Sequence, residues 1–150
     1  MSRGGVNEVI PGLLFQRANF LNWPRRQKQA MLARHGIRVV VNLWHKADPD
    51  LSSDAEGTLL YLNWHIAGDT VPDHAKEIIQ LLLLLLHDRW PILIHCEAGS
   101  NRSVWLAAEL VRRWGGVTGE EALEMIQSRV PGAKINRHLR EALYNGHTYR

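Results

Sequence analysis

One run in this 150-residue chain carries unusual chemical potential: His95-Cys96-Glu97-Ala98-Gly99-Ser100-Asn101-Arg102-Ser103. It starts at the end of an apolar stretch, Pro91-Ile92-Leu93-Ile94-His95, and leads into a helical pattern from Ser103 to Trp114. A strand, a short loop with a glycine and a helix start together turn backbone N–H groups inward. The helix adds the positive end of its dipole, so the loop is an anion cradle before any side chain is considered. Arg102 contributes a guanidinium fork suited to two oxygens of a phosphate. Cys96 sits at the floor of the cradle, where the positive field favours the thiolate. That is the nucleophilic form, and a free thiol supplies it only to a few per cent at neutral pH. The chemistry indicated is nucleophilic attack on a phosphate ester.

Such an attack needs a proton for the departing oxygen. If strands 59–64 and 91–95 are parallel neighbours joined by a crossover helix, their C-terminal ends lie on one sheet edge, where α/β proteins build their sites. Asp69 and Asp73 follow the first strand and Cys96 follows the second. Asp73 directly follows Pro72 and has a structural reason to be acidic, at a helix N-terminus. Asp69, in Ala67-Gly68-Asp69-Thr70, has none and is the preferred acid, with Asp73 as the alternative. A carboxyl at 69 would protonate the leaving group and then activate water. Asp48, Asp50 and Asp54 fall in the polar stretch Lys46 to Gly57 and read as parts of a solvated loop.

The elements that must hold these groups can be read along the chain. Val6 to Ile10 and Leu13 to Phe15 are short strands around a Pro11-Gly12 turn. A helix runs from Pro24 to about His35, with Gly36 as its stop. Ile37 to Leu43 is β-branched and almost continuously apolar, as a strand covered on both faces should be. Strand 59–64, a helix from about Asp73 to Trp90, and strand 91–95 follow. After the cysteine the pattern turns helical. Gly115-Gly116 closes the first helix, Thr118 and Glu121 form a capping box for a second that stops at Pro131-Gly132, and Asn136 caps a last helix ending near Gly146. The expected architecture is one α/β domain over residues 1–150. Its mainly parallel twisted sheet of about 4–5 strands is flanked by helices, and the phosphate loop joins the last strand to the next helix. The run Ile78 to Leu86 is too short to span a bilayer and reads as a helix buried on more than one side.

Composition bounds the remaining possibilities. Hydrophobic residues make up 45% and charged residues 22%, which excludes disorder and low complexity. A single cysteine excludes an internal disulfide framework and any multi-cysteine metal cluster, and it fits a reducing, cytoplasmic setting. If oxidised, that thiol has no partner in the chain to form a rescuing disulfide. The eight histidines show no ligand spacing, so no metal and no cofactor is expected. No apolar leader or lipidation motif appears, and no serine-hydrolase elbow or nucleotide loop. Net charge is +3, and 14 of the 18 basic residues are arginine, but without runs long enough to argue for nucleic acid. The six tryptophans read as core or rim packing, with Trp44 alternatively lining a pocket.

The run at 95–103, in the form His-Cys-x-x-Gly-x-x-Arg-Ser, resembles the signature of the cysteine-dependent protein tyrosine phosphatase superfamily. Ala98 before the glycine is similar to the compact dual-specificity branch. Val9-Ile10-Pro11-Gly12-Leu13 resembles the family's first hairpin, and Val39-Val40-Val41-Asn42-Leu43 its strand whose asparagine supports the phosphate loop. The Asn136 tail resembles its last helix, and Ala67-Gly68-Asp69-Thr70 its mobile acid loop. The resemblance implies that Cys96 is the nucleophile and that Arg102, with the backbone of Glu97, Ala98, Gly99, Ser100 and Asn101, binds the phosphoryl group. It also implies that His95 tunes and orients the cysteine, and that Ser103 stabilises the departing thiolate. The implied partner is a phosphorylated protein or a small phosphoester, with no nucleic acid or membrane. Phosphotyrosine, with phosphoserine and phosphothreonine, is the leading substrate class. The alternatives are RNA 5′-phosphates or phosphoinositides, disfavoured by Glu97 in the loop, and a catalytically weak phosphate-binding module.

Overall fold

The computed structural model describes residues 5–52, 58–67 and 70–146; Asp54 and Asp69 lie outside the described residues. The Pro11-Gly12 turn, with Gly12 at φ 72°, joins β1 (Asn7–Ile10) to β2 (Leu14–Arg17) as an antiparallel hairpin. α1 (Arg25–Arg34) begins after Pro24, and Gly36 follows its end at φ 64°. β3 (Val39–Asn42), α2 (Pro49–Ser52), β4 (Leu60–Asn63), α3 (Ala75–His87) and β5 (Ile92–His95) come next. Three helices complete the chain: α4 (Arg102–Gly115), α5 (Gly119–Arg129) and α6 (Arg137–Tyr144).

The five strands form one sheet in the order β1-β2-β5-β3-β4, parallel throughout except for the first pair. This is the single-domain α/β fold expected, with one correction. β4 and β5 are not neighbours, because β3 lies between them. Burial explains the order. Every residue of β3 and β5 is buried, as central strands require, whereas Leu60 and Asn63 of β4 are exposed and suit an edge. Asn42 pairs with both Asn63 and His95, so the three strands still end on one edge of the sheet.

Alternating side chains feed two cores. Phe15, Val40 and Leu93 face α1 with Phe20, Met31 and Leu32. Leu14, Val39, Val41, Ile92, Ile94 and Cys96 face the other way, toward Ile79, Leu82, Trp105, Leu110, Ile126 and Leu139 of the later helices. Each fully buried Leu, Ile or Val among them contributes roughly 1.5–3 kcal/mol through area removed from water. α4 is the spine of this second layer, with its residues from Ser103 to Val111 all buried.

Two further expectations are corrected. α3 is not buried on several sides: Leu82 and Leu86 are fully covered, while Leu81 and Leu84 are 41% and 66% exposed. Six successive leucines give no phase from which to read a buried face, and packing against α4 selects one. The stretch from Lys46 is not a wholly solvated loop either. Asp48 is buried, its Oδ1 accepts from the N–H groups of Asp50 and Leu51 at the start of α2, and its Oδ2 pairs with buried Lys28 at 2.9 Å. Asp50 pairs with the same ammonium at 2.9 Å. The capping box is as expected: Glu121 N–H donates to Thr118 Oγ1 at 3.1 Å, and Thr118 N–H donates to Glu121 at 2.9 Å. No helix among the described residues is long and apolar enough to cross a membrane.

Candidate active site

β5 delivers Cys96 to the sheet edge, and residues 97–101 bend from there into α4. The conformation of this loop is held by its carbonyl groups. Glu97 C=O accepts from both Asn19 N–H (3.1 Å) and Asn19 Nδ2 (2.9 Å). Gly99 C=O accepts from Gln16 Nε2 at 2.6 Å, and Ser100 C=O from Lys134 N–H at 3.0 Å. Asn101 C=O accepts from Trp105 N–H at 2.9 Å, inside the first turn of α4. With the carbonyls drawn to surrounding braces, the opposite edge of each peptide is left to the inner side. Among the described residues no acceptor is bonded to the N–H groups of 97–101. The loop is thus a preformed set of donors at a helix N-terminus, the arrangement that binds a phosphoryl group.

Gly99 is where this loop touches the rest of the fold. Its φ is +75°, and a Cβ there would lie 2.6 Å from Ala18 N and 2.8 Å from Ala18 Cα. The loop therefore rests on the backbone that leaves β2, with no room for a side chain.

Cys96 is 1% exposed, with Sγ 3.2 Å from Oγ of fully buried Ser103. Arg102 extends from the first turn of α4. Its guanidinium donates to Ile66 C=O at 3.2 Å, and its other terminal nitrogen lies 4.0 Å from the exposed Glu97 carboxylate. Ile66 precedes the segment that contains Asp69, and Asp69 itself lies outside the described residues. Asp73, the alternative acid, is exposed and stands ahead of α3 rather than within its first turn, because His74 takes the N-cap position. The Asp73 carbonyl accepts from Trp64 Nε1 at 3.3 Å.

Asn42 is placed differently from the expectation that it supports the phosphate loop. It is fully buried, and its side chain bonds Lys46 C=O, Tyr61 Oη, Asn63 Oδ1 and Trp44 N–H. These bonds run to the turn after β3 and to β4, so Asn42 stiffens the adjoining wall of the site. Trp44, in that turn, is buried. Sequence reasoning missed the braces themselves: Gln16, Asn19 and the backbone of Lys134. It also missed a contact between two capping residues, in which Asn136 N–H donates to Asn101 Oδ1 at 2.9 Å. The available signal was the end of β2, where the polar Gln16 and Arg17 follow the apolar Leu14 and Phe15.

His95 faces the α1 side, its ring 5.0 Å from that of Phe20, while Cys96 faces the α4 side. Burial pushes the imidazole pKa down to about 4; Arg17 adds to the lowering and Asp48 opposes it. Arg17 is itself buried, its guanidinium 4.3 Å from the Trp23 ring, and burial lowers its pKa to about 10. The folded protein therefore keeps His95 neutral at pH values where the unfolded chain, with an ordinary histidine near 6.5, takes up a proton. Stability from this source is complete above about pH 6.5 and is lost as pH falls toward 4, reaching about 3 kcal/mol. Urea unfolding between pH 7 and 5 is expected to show this decline, with a shallower slope in His95→Asn. Equal slopes in the two proteins would contradict it.

No family model matches the chain. In sequence it is 28% identical over 141 residues to the dual specificity protein phosphatase Mpk3 of Drosophila melanogaster, a match covering 91% of this chain. The chain spans 32% of that relative's length. In structure it is similar to PTPMT1, with a TM-score of 0.78 at 17% identity over 94% of this chain and 92% of that one. It is also similar to DUSP15, with a TM-score of 0.74 at 25% identity over 94% and 86% of the two chains. A strand-to-helix loop around a lone cysteine, on a sheet shared with these proteins, makes the chain similar to the cysteine-based protein tyrosine phosphatases, and most like their compact dual-specificity branch.

Proposed function

We propose that residues 1–150 form a catalytic domain that hydrolyses phosphate monoesters through a phosphocysteine intermediate. The observation that carries this is the loop at 97–101 directly after the buried Cys96 thiol, with the carbonyls of Glu97, Gly99, Ser100 and Asn101 bonded to other parts of the chain and its N–H groups bonded to no acceptor among the described residues. In the first step the Cys96 thiolate attacks phosphorus while the P–O bond to the leaving group breaks. The departing oxygen takes the proton of the Asp69 carboxyl. Arg102 exchanges its hold on Ile66 for two phosphoryl oxygens, and the loop N–H groups bind the others as charge develops on them. In the second step the Asp69 carboxylate removes a proton from water, which attacks phosphorus, and the P–S bond breaks with its electron pair on Sγ. His95 anchors the strand end that presents the thiol.

The substrates we assign are phosphotyrosine, phosphoserine and phosphothreonine on proteins. Glu97 supports this, since an exposed carboxylate beside Arg102 repels polyanionic headgroups. PTPMT1, by contrast, has been solved in complex with PI(5)P.

Wild type is expected to hydrolyse p-nitrophenyl phosphate, and acid quench during turnover to leave phosphate on Cys96, detected by mass spectrometry. Absence of turnover, or phosphate on another residue, would sink the reading. Asp69→Asn is expected to lose about 10²-fold or more with alkyl leaving groups and far less with p-nitrophenol. A uniform loss would move the acid elsewhere. Faster turnover of PI(5)P than of a phosphotyrosine peptide would overturn the substrate assignment.

A further inference from the structure

Gln16 lies on the α4 side of β2, fully buried, and meets the site through both ends of its amide. One amide atom is 2.6 Å from Gly99 C=O and 2.7 Å from Ser103 Oγ. The other is 3.0 Å from Asn7 Nδ2. A carbonyl oxygen can only accept, so the atom facing Gly99 must be the NH2 group, which fixes the amide orientation. The same nitrogen then donates its second hydrogen to Ser103 Oγ. Ser103 is therefore the acceptor in that bond, and the Cys96 thiol, 3.2 Å away, also donates to its Oγ. Once that sulfur is an anion it can only accept, and the Ser103 hydrogen, which Gln16 does not engage, is the one left to be donated to it.

We infer that Gln16 is a positioning residue that sets the polarity of the Ser103 hydroxyl, so that Ser103 donates to the Cys96 sulfur whenever that sulfur is anionic. This deepens the reaction proposed above and rests on it. The sulfur carries charge twice per turnover, before it attacks phosphorus and again when water displaces it. In that second event the P–S electron pair remains on Sγ, and the water proton goes to the Asp69 carboxylate. A hydroxyl already donating to Sγ needs no rotation at that moment, and preorganised donors of this kind act most strongly in a dry site. Asn7, bonded to Gln16 Oε1, holds the far end of the amide and completes the relay from β1 to the nucleophile.

The test is a double-mutant cycle of wild type, Gln16→Met, Ser103→Ala and the double variant, with thermal melts to verify folding. Two quantities are read: the midpoint of the pH profile of Cys96 alkylation by iodoacetamide, and the pre-steady-state burst with p-nitrophenyl phosphate. Gln16→Met is expected to raise the alkylation midpoint by about one pH unit, the value of one hydrogen bond to a charged group. It should also slow steady-state turnover about tenfold while the burst persists, because phosphoenzyme breakdown loses most. In the Ser103→Ala background the same substitution should leave the alkylation midpoint within about 0.3 pH units, and whatever turnover it still loses there belongs to the brace on Gly99. Equal effects in both backgrounds would reduce Gln16 to a brace on Gly99, and no effect in either would remove it from the relay.

Should Gln16→Met fail to fold, Gln16→Glu keeps the size and presents only acceptors. It should then capture the Ser103 hydrogen and raise the midpoint further, and a wild-type midpoint in that variant overturns the inference. Alkylation requires no phosphoester turnover. A wild type that hydrolyses nothing would therefore defeat the proposed function while leaving this relay open to measurement.

Discussion

Cys96→Ser is expected to lower kcat on an aryl phosphate by about 10⁴-fold or more, the scale of loss when an enzymic nucleophile is removed. An alcohol is a far weaker nucleophile than sulfur, and its shorter bond to Cβ holds the oxygen back from phosphorus. The cradle should survive. The braces on Glu97, Gly99 and Ser100 come from Asn19, Gln16 and Lys134, and none of them involves the sulfur. Affinity for a phosphotyrosine peptide, measured by calorimetry, should therefore stay within a few-fold of wild type. Turnover equal to wild type would show that Cys96 is not the nucleophile. Loss of binding together with turnover would show that the thiol supports the loop instead.

Gly99→Ala is the second substitution with a large expected effect, and it acts through shape alone. A left-handed backbone costs an alanine about 1–2 kcal/mol. The added Cβ would also lie 2.6 Å from Ala18 N, a backbone atom that cannot swing aside as a flexible side chain would. The loop must lift, which stretches the Gln16 bond to Gly99 C=O and misaligns the N–H donors. A displacement near 1 Å is worth about 10²-fold in rate, so kcat/KM should fall by at least that much. Gly116→Ala supplies the control. Gly116 caps α4 at φ +65°, and nothing lies within 4 Å of the Cβ it would gain. It should lose a few degrees of Tm and keep its activity. If both variants retain full kcat/KM, the close approach at Ala18 does not govern the loop.

The legible parts of the site share one property: their causes are local. Cys96, Gly99, Arg102 and Ser103 are contiguous with the strand and helix that position them, so one short run displays the whole cradle. The capping box at Thr118 and the cap at Asn136 are equally local. What could not be read depends on distant partners. Gln16 reaches Ser103 across 87 positions, and nothing beside it announces that partner. Asp48 looked like a loop carboxylate because Lys28, which draws it inward, belongs to another helix. The placement of β3 between β4 and β5 follows from competition for the sheet centre, which only the complete set of strands decides. Asn42 could be located at the sheet edge, but its neighbours in the turn after β3 and in β4 could not be named.

The strand order also has a consequence for how the molecule comes into being. β5 is last in sequence among the strands, yet it occupies the middle of the sheet, between β2 and β3. A chain emerging N-terminus first carries the β1–β2 hairpin and the β3–β4 pair as two separate pieces, each with an open hydrogen-bonding edge. Both edges are satisfied only when Ile92–His95 arrives, through pairings such as Leu14 with Ile92 and Val39 with Ile92. Closing such long loops is entropically slow, and the exposed edges invite misassociation in the interval. The cradle hangs from that same strand, so it forms in the event that joins the halves. A nascent or truncated chain that ends before β5 lacks Cys96 and the loop at 97–101 altogether, and the strand that joins the two halves of the sheet is the one that carries them to its edge.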